Sequence, residues 1–456
     1  MKFQTFISAS FCAFSIGTVV AWTTQLSPKL LNGDYGFPIN TDELGWIGGL
    51  ISLGAAILSL VIGFISTQIG CKITILLLII PSVIGWAFLV WAQNIHMIYV
   101  GRILTGMVAG AYCVTTPLYC IGIAQKEIRG TLGSYTQLML SSGILFDVII
   151  SRYVSIPAFT ITCGIIPIAF GAIFVFMPQV PLDYLRKGKE NNARKALKQL
   201  RARDYDINAE IVDLNKKLKE ENQGNSIQIF KDSWKKESTR KAFTISSFLM
   251  IFRAFCGIDS ITSYTSYIFL STMPNFDPEI GAIIIISVEV LSALLQTMIV
   301  DYVGRRILLL ISEIMMATSS TMVGISILLK TRGLLAEEYY IYINWLPLIG
   351  LSIFYIGYSL GLGPISFVMM AEINSPEVKN LVVSILTFIF WILATTVTKG
   401  FLVIKEKSGN DVVFLIMGAC SFVAVGIMFF IIPETKGKSP EEIEQLLTKT
   451  KIVNDV

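Results

Sequence analysis

What the sequence holds little of narrows it first. Of its 456 residues only 15% are charged, and histidine occurs once, as His96. A soluble globular domain carries roughly 25% charged residues, so the deficit excludes an ordinary water-soluble fold. One histidine excludes zinc or haem chemistry built on imidazole, and no cofactor or metal is expected. The formal charge of +4 is too dilute for a nucleic-acid footprint, so no nucleic-acid partner is expected. The seven cysteines give no disulfide framework. Cys12, Cys113, Cys120, Cys163, Cys256 and Cys420 fall inside apolar runs, where a small soft side chain packs, and Cys71 falls in a short loop. No Asn-x-Ser/Thr sequon occurs, which removes glycosylation as a marker of outward loops. No nucleophile–base pair or metal cluster is readable, so an enzyme is not expected.

What the sequence does hold is apolar length. Hydrophobic residues make up 54% and the mean hydropathy is +0.67. Apolar runs occur near residues 5–25, 44–66, 73–92, 97–121, 131–151 and 157–177, and again near 242–270, 279–300, 306–329, 341–371, 380–404 and 411–432. A membrane-crossing helix needs about 20 such residues. Lipid offers the backbone no hydrogen-bond partner, so each run must be helical. The first run exceeds the roughly 7–15 residues of a signal peptide and lacks a small-residue cleavage site, so it reads as a span. The expected fold is an all-α membrane protein with twelve transmembrane helices in two six-helix bundles. The expected divisions are a first bundle over 1–177, a linker over 178–241, a second bundle over 242–432 and a tail over 433–456.

The linker holds sixteen of the 36 lysines and arginines, and Asn192 to Arg201 and Ile207 to Leu218 read as short amphipathic helices. Short loops around Lys72, Lys126 to Arg129, Arg305 to Arg306 and Lys379 carry basic residues on the same side. Positive charge stays inside, which predicts a multi-pass protein of the cell membrane with both termini and the linker cytoplasmic. Lys399, Lys405 and Lys407 fall on the opposite side and run against this count.

The two halves repeat each other. Ile123-Ala124-Gln125-Lys126-Glu127-Ile128-Arg129-Gly130 has a counterpart 250 residues later in Ile373-Asn374-Ser375-Pro376-Glu377-Val378-Lys379-Asn380. Gly70-Cys71-Lys72 corresponds to Gly304-Arg305-Arg306, and Pro178-Gln179 to Pro433-Glu434. Each pair falls at the same end of the equivalent span. Two parallel bundles related about an axis along the membrane normal, with a cavity between them, are the economical arrangement.

Together these strings resemble the sugar porter family of the major facilitator superfamily, and within it the insect facilitated trehalose transporter-like proteins. Asp301-Tyr302-Val303-Gly304-Arg305-Arg306 is similar to the family's loop between helices eight and nine. Pro433-Glu434-Thr435-Lys436-Gly437-Lys438-Ser439 is similar to its C-terminal string. Gly101-Arg102, Arg129-Gly130, Gln137-Leu138 and Gly363-Pro364 followed by Glu372 fall at the family's spacing. The resemblance spans nearly the whole chain and implies facilitated transport of a small sugar by alternating access.

Two rocking bundles need a breakable network at one face, and ion pairs with helix ends supply about 0.5–3 kcal/mol each. Arg102, Arg129, Asp301, Arg305, Arg306, Glu372, Lys379 and Glu434 are taken to lie at cytoplasmic helix ends and to form the inward gate. The commoner role of a lone basic residue there is a topogenic anchor, but both signs recur in both halves. The first half departs from the family pattern. Thr67, Gln68 and Cys71 stand where the family has charges, Gly122 replaces a glutamate, and Gln179 replaces the acid after Pro178. The first-half gate therefore has no carboxylates on this reading, and the closed inward gate is expected to be weak unless other contacts compensate.

A sugar needs amide or acid side chains and an aromatic face. The resemblance assigns Gln137 and Trp391 as sugar contacts; helix–helix bonding and packing are their bland alternatives. It also shows a departure: the helix-seven string reads Arg253-Ala254-Phe255-Cys256-Gly257-Ile258-Asp259, and the helix-eight asparagine is Glu289. Ionisable groups at mid-membrane cost about 2.5–3.5 kcal/mol and so suggest function, which makes Arg253, Asp259 and Glu289 candidate substrate ligands. On a straight helix Arg253 and Asp259 stand roughly 9 Å apart along the axis, too far to pair unless the helix breaks near Gly257. Asp147 and Glu313 carry less weight. Proton-coupled members have a carboxylate in helix one, where this chain has Ala21-Trp22-Thr23-Thr24, so coupling by that route is not expected. The partners expected are a small sugar and the bilayer. The rival readings are a transporter of a charged or amino-bearing solute on the same fold, and a sugar sensor without turnover.

Overall fold

The computed structural model describes residues 3–449 apart from 124–128, 202–204, 222–225, 334–338, 340–341, 376 and 439. Among the described residues helix is the only regular structure. The first half comprises α1 (Phe3–Leu31), α2 (Thr41–Ile69), α3 and α4 (Cys71–Leu77 and Ile79–Val90, one span), α5 (Ile95–Ile123), α6 (Arg129–Tyr153) and α7 (Ile156–Phe174). The linker folds as α8 (Pro181–Arg186), α9 (Glu190–Leu200), α10 (Ile207–Glu221) and α11 (Ser226–Ser233). The second half comprises α12 (Glu237–Phe255), α13 (Ile258–Thr272), α14 (Pro278–Val303), α15 (Arg305–Thr331), α16 (Leu346–Leu360), α17 (Leu362–Ile373), α18 (Lys379–Ser408) and α19 (Asn410–Ile431), followed by α20 (Pro440–Lys449).

By length and apolarity ten stretches can cross a membrane, with α12–α13 and α16–α17 each counted as one. The 29-residue α1 and the 25-residue α6 complete twelve. Both carry polar groups such as Thr24, Gln25, Ser141 and Asp147 into the interior. Successive spans alternate in direction, so the structure has two faces. At the linker face α1 begins and α2, α5 and α7 end; at the far face α1 ends and α2 and α5 begin.

In the second half, among the described residues, two spans are broken at a glycine. Gly257, at φ +81°, separates α12 from α13, a conformation that a side chain resists, and any Cβ there would collide with Met417. Gly361 separates α16 from α17, and a Cβ there would collide with Ser312 and the Leu308 carbonyl. A broken span exposes backbone polar groups inside the membrane, and these are tolerated only where protein or a cavity satisfies them.

The linker helices dock on the first half. Leu185, Ala193, Leu197 and Ile211 form their own small core. Buried Arg201 donates to the Ile123 carbonyl at 2.8 Å and pairs with Glu210, while Lys187 donates to the Ile69 carbonyl at 2.9 Å. The Asp183 carboxylate accepts the Cys71 N–H at 2.9 Å. This corrects two expectations: Cys71 opens a helix rather than lying in a loop, and the first half keeps a carboxylate at the linker face, from α8 rather than from the position of Gln179. The reason is spatial, since α8 turns back beneath the Gly70 corner and brings Asp183 to it.

Candidate functional site

Near the middle of the molecule the halves meet through polar side chains. On α6, Gln137 and Ser141 are one turn apart and share a face, with Gln137 Nε2 at 3.5 Å from Ser141 Oγ. Ser141 Oγ donates to Glu289 Oε1 on α14 at 2.7 Å. Glu289 is buried, and its Oε2 has no hydrogen-bond partner. The chain Gln137–Ser141–Glu289 thus joins the first half to the second. Sequence reasoning missed Ser141; its i+4 spacing from Gln137 was the available signal.

Asp259 sits in the first turn of α13, where the helix dipole favours an anion. It is half-buried, and its Oδ2 has no partner. Trp391 on α18 is buried with an unpartnered Nε1, its ring 4.9 Å from that of Phe390. Glu289 and Asp259 thus each keep an acceptor, and Trp391 a donor, that no described protein group takes up.

Arg253 behaves differently. It closes α12, where a cation suits the dipole. Its Nη1 donates to the Gly363 carbonyl at 2.5 Å and to the Leu362 carbonyl at 3.5 Å, and its Nη2 to Tyr358 Oη at 2.8 Å. The guanidinium also lies over Phe367 and Phe390 at 4.7 and 5.0 Å. The break at Gly257 exists, yet among the described residues Arg253 forms no ion pair with Asp259 or Glu289 and instead donates to carbonyls in the first turn of α17, beside the second break. Asp147 and Glu313 are buried inside the first and second halves; Asp147 accepts the Cys163 thiol at 3.5 Å.

At the linker face, Glu434 accepts the Arg305 N–H at 3.0 Å, the Arg306 N–H at 3.1 Å and the Lys436 N–H at 2.9 Å. Burial pushes the Glu434 carboxyl up, but these backbone donors outweigh it and hold the group below its ordinary value. Glu372 stands 3.6 Å from Arg305 and accepts Thr435 Oγ1 at 2.6 Å, and Arg306 Nη2 donates to the Phe429 carbonyl at 2.7 Å. These four expected gate residues therefore come together, all within the second half, where they cap and brace α15. Lys379 opens α18 at the same face. The side chains of Arg129 and Asp301 lie outside the described residues.

Arg102 is a correction. It lies seven residues into α5, which starts at the far face, so it belongs to the opposite end from Arg305 and Glu434. It is fully buried, donates to the Val19 carbonyl at 2.9 Å and stacks over Trp22 at 5.1 Å. It braces α1 against α5.

The ion pairs that bridge the halves among the described residues lie at the far face, and none was in the sequence-derived set. Lys29 meets Glu279 at 2.9 Å, Arg152 meets Asp277 at 2.8 Å and Glu279 at 3.5 Å, and Lys399 meets Asp42. Lys399, which runs against the basic-residue count, is a bridging residue here. Below them Thr24 Oγ1 donates to the Thr262 carbonyl at 2.7 Å, and Gln25 donates to the Glu279 carbonyl at 3.2 Å and accepts Ser266 Oγ at 2.6 Å. Tyr264, at a kink in α13, points its hydroxyl at the Gly45 carbonyl, and a Cβ at Gly48 would collide with that hydroxyl. The far face is closed.

Comparison with known proteins gives a consistent result. The family model described as "Sugar (and other) transporter" matches residues 7–447. The chain is 32% identical over 425 residues to the facilitated trehalose transporter Tret1 of Bombyx mori, covering 92% of this chain and 82% of that protein. It is 30% identical over 440 residues to the Tret1 of Polypedilum vanderplanki, covering 96% and 86%. In fold it is similar to the inward open conformation of the xylose transporter XylE from E. coli, with a TM-score of 0.79 at 18% identity over 97% of this chain and 99% of that one.

Proposed function

Because the chain belongs to the Sugar (and other) transporter family, we propose that it is a facilitator that carries a small neutral sugar, a hexose or trehalose, across a membrane by alternating access. The observation that carries the reading is the hydrogen-bonded chain Gln137–Ser141–Glu289, which spans the two halves while leaving Glu289 Oε2, Asp259 Oδ2 and Trp391 Nε1 without partners. A sugar hydroxyl both donates and accepts, so it suits two carboxylate acceptors and an indole donor. Binding between the halves would make their rocking sensitive to the ligand. Arg253 is left out of the substrate set because both its terminal nitrogens are engaged by protein groups, and only its Nε is without a partner.

The linker face is assigned to the cytoplasm, with both termini, in the cell membrane; the basic residues of the linker support this. The curated relatives are transporters by name, which leaves the sensor reading without support. Trehalose enters because the Bombyx and Polypedilum relatives are named as trehalose transporters.

The test is uptake of labelled glucose and trehalose into proteoliposomes by wild type and by Asp259→Asn and Glu289→Asn. Loss of one carboxylate acceptor is expected to change the KM of the transported sugar by about ten- to a hundredfold, the range for a hydrogen bond to a charged group. Unchanged KM in both variants refutes the assignment, and no uptake of either sugar by wild type refutes the substrate class.

A further inference from the structure

The second and eighth spans end alike. α2 runs into Gly70 at φ +101° and then α3; α14 runs into Gly304 at φ +99° and then α15. Each new span starts with backbone N–H groups that need acceptors. In the second half Glu434 supplies both carboxylate oxygens, to Arg305 and Arg306. In the first half Asp183 Oδ2 takes the Cys71 N–H at 2.9 Å. A Cβ at Gly304 would collide with the Glu434 carboxylate, and one at Gly70 with the Gln179 amide and then the Asp183 carboxylate. The two corners are thus built on the same plan. Gln179 holds the position that aligns with Glu434, but Asp183, four residues on, delivers the charge. Asp183 is buried, with Arg186 Nη1 at 3.6 Å from its Oδ1.

We propose that Asp183 is a positioning residue for transport, the first-half counterpart of Glu434, which fastens α8 to the start of the third span so that the linker helices move as one body with that half. α8 leads into α9, whose following residue Arg201 holds the carbonyl that ends α5. Through α8 and Arg201 the linker grips the ends of α2 and α5 and the start of α3. A carrier that exposes its site by rocking needs these ends to move together, or motion is lost in the linker. The role rests on the transporter reading.

The test uses the full chain in proteoliposomes with three variants, Asp183→Asn, Asp183→Asn combined with Gln179→Glu, and Glu434→Gln. The substrate-independent readout is the rate of tryptic cleavage within the linker, rich in lysine and arginine; the second is the KM and maximal rate of sugar uptake. Loss of the charged cap is expected to raise linker cleavage by about tenfold and to lower maximal uptake by about five- to tenfold with KM within about twofold. Gln179→Glu restores a carboxylate at the aligned position and is expected to reverse both changes, and Glu434→Gln to lower maximal uptake alike. Cleavage and maximal rate within twofold of wild type in Asp183→Asn overturn the proposal. So does a double variant that remains as defective as the single one, including when the single variant fails to fold. If wild type moves no sugar but the cleavage pattern responds and is rescued, the docking role stands and the sugar reading falls.

Discussion

Glu279→Gln is the sharpest perturbation of the closed far face. Glu279 accepts from two bases of the other half, Lys29 at 2.9 Å and Arg152 at 3.5 Å, and its side chain is 21% exposed, with 28% for each partner. Pairs this wet are worth about 0.2–1 kcal/mol each, so removing the charge costs the closed state about 0.5–2 kcal/mol. The ratio of closed to open far face should fall by about two- to thirtyfold, since each 1.4 kcal/mol is a factor of ten. Asn32 and Asn275 are exposed on opposite sides of this seam, and spin labels there report its width by double electron–electron resonance. The expected outcome is a growing long-distance population in Glu279→Gln. Arg152→Gln should act alike, and the double variant should show less than the sum, because the two share a pair. A distance distribution in Glu279→Gln that superimposes on wild type would refute the reasoning.

The other expectations follow from single contacts. Arg253→Lys keeps the charge but loses the planar fork that spans Gly363, Leu362 and Tyr358, as well as the stacking on Phe367 and Phe390, and should destabilise the protein by about 1–3 kcal/mol in thermal unfolding; a wild-type melting temperature contradicts the clamp. Burial acts to raise the Asp277 carboxyl, but Arg152 and the N–H groups of Glu279 and Ile280 hold it below its ordinary value. Its contribution is therefore full above the ordinary aspartate pKa and lost only as pH falls through the depressed value. The labelled seam should stay closed from neutral pH down to about 5, and opening above that contradicts the assignment.

Much of this fold is legible in the chain because its signals are local. The twelve spans announce themselves as apolar runs, and the Gly70 and Gly304 corners mark the repeat. The break at Gly257 is readable from a glycine between charged residues. The break at Gly361 is not, since its cause is the close approach of Ser312 from another span. Arg102 is misplaced if a basic residue near a span end is taken as cytoplasmic without counting direction; the fourth span begins at the far face. Lys29 and Glu279 lie 250 residues apart with no local pattern to link them. Asp183 is hidden for a related reason. The repeat points to Gln179, and only the return of α8 beneath the corner shows which side chain arrives.

The charged residues of the seventh and eighth spans divide into two roles, and the division explains how a carrier of neutral sugars can hold them. Arg253 is held by three rings, two carbonyls and a hydroxyl, so its charge braces the broken tenth span. Asp259 and Glu289 keep free acceptor atoms where neutral amides would offer both donors and acceptors. On the proposed assignment the ligand is therefore asked to donate at those two points. A sugar hydroxyl can do so, whereas a fluorine in its place can only accept, so fluorinated analogues should lose more affinity here than at a site built of amides. The substitutions narrow how a sugar is held without requiring that the sugar carry a charge.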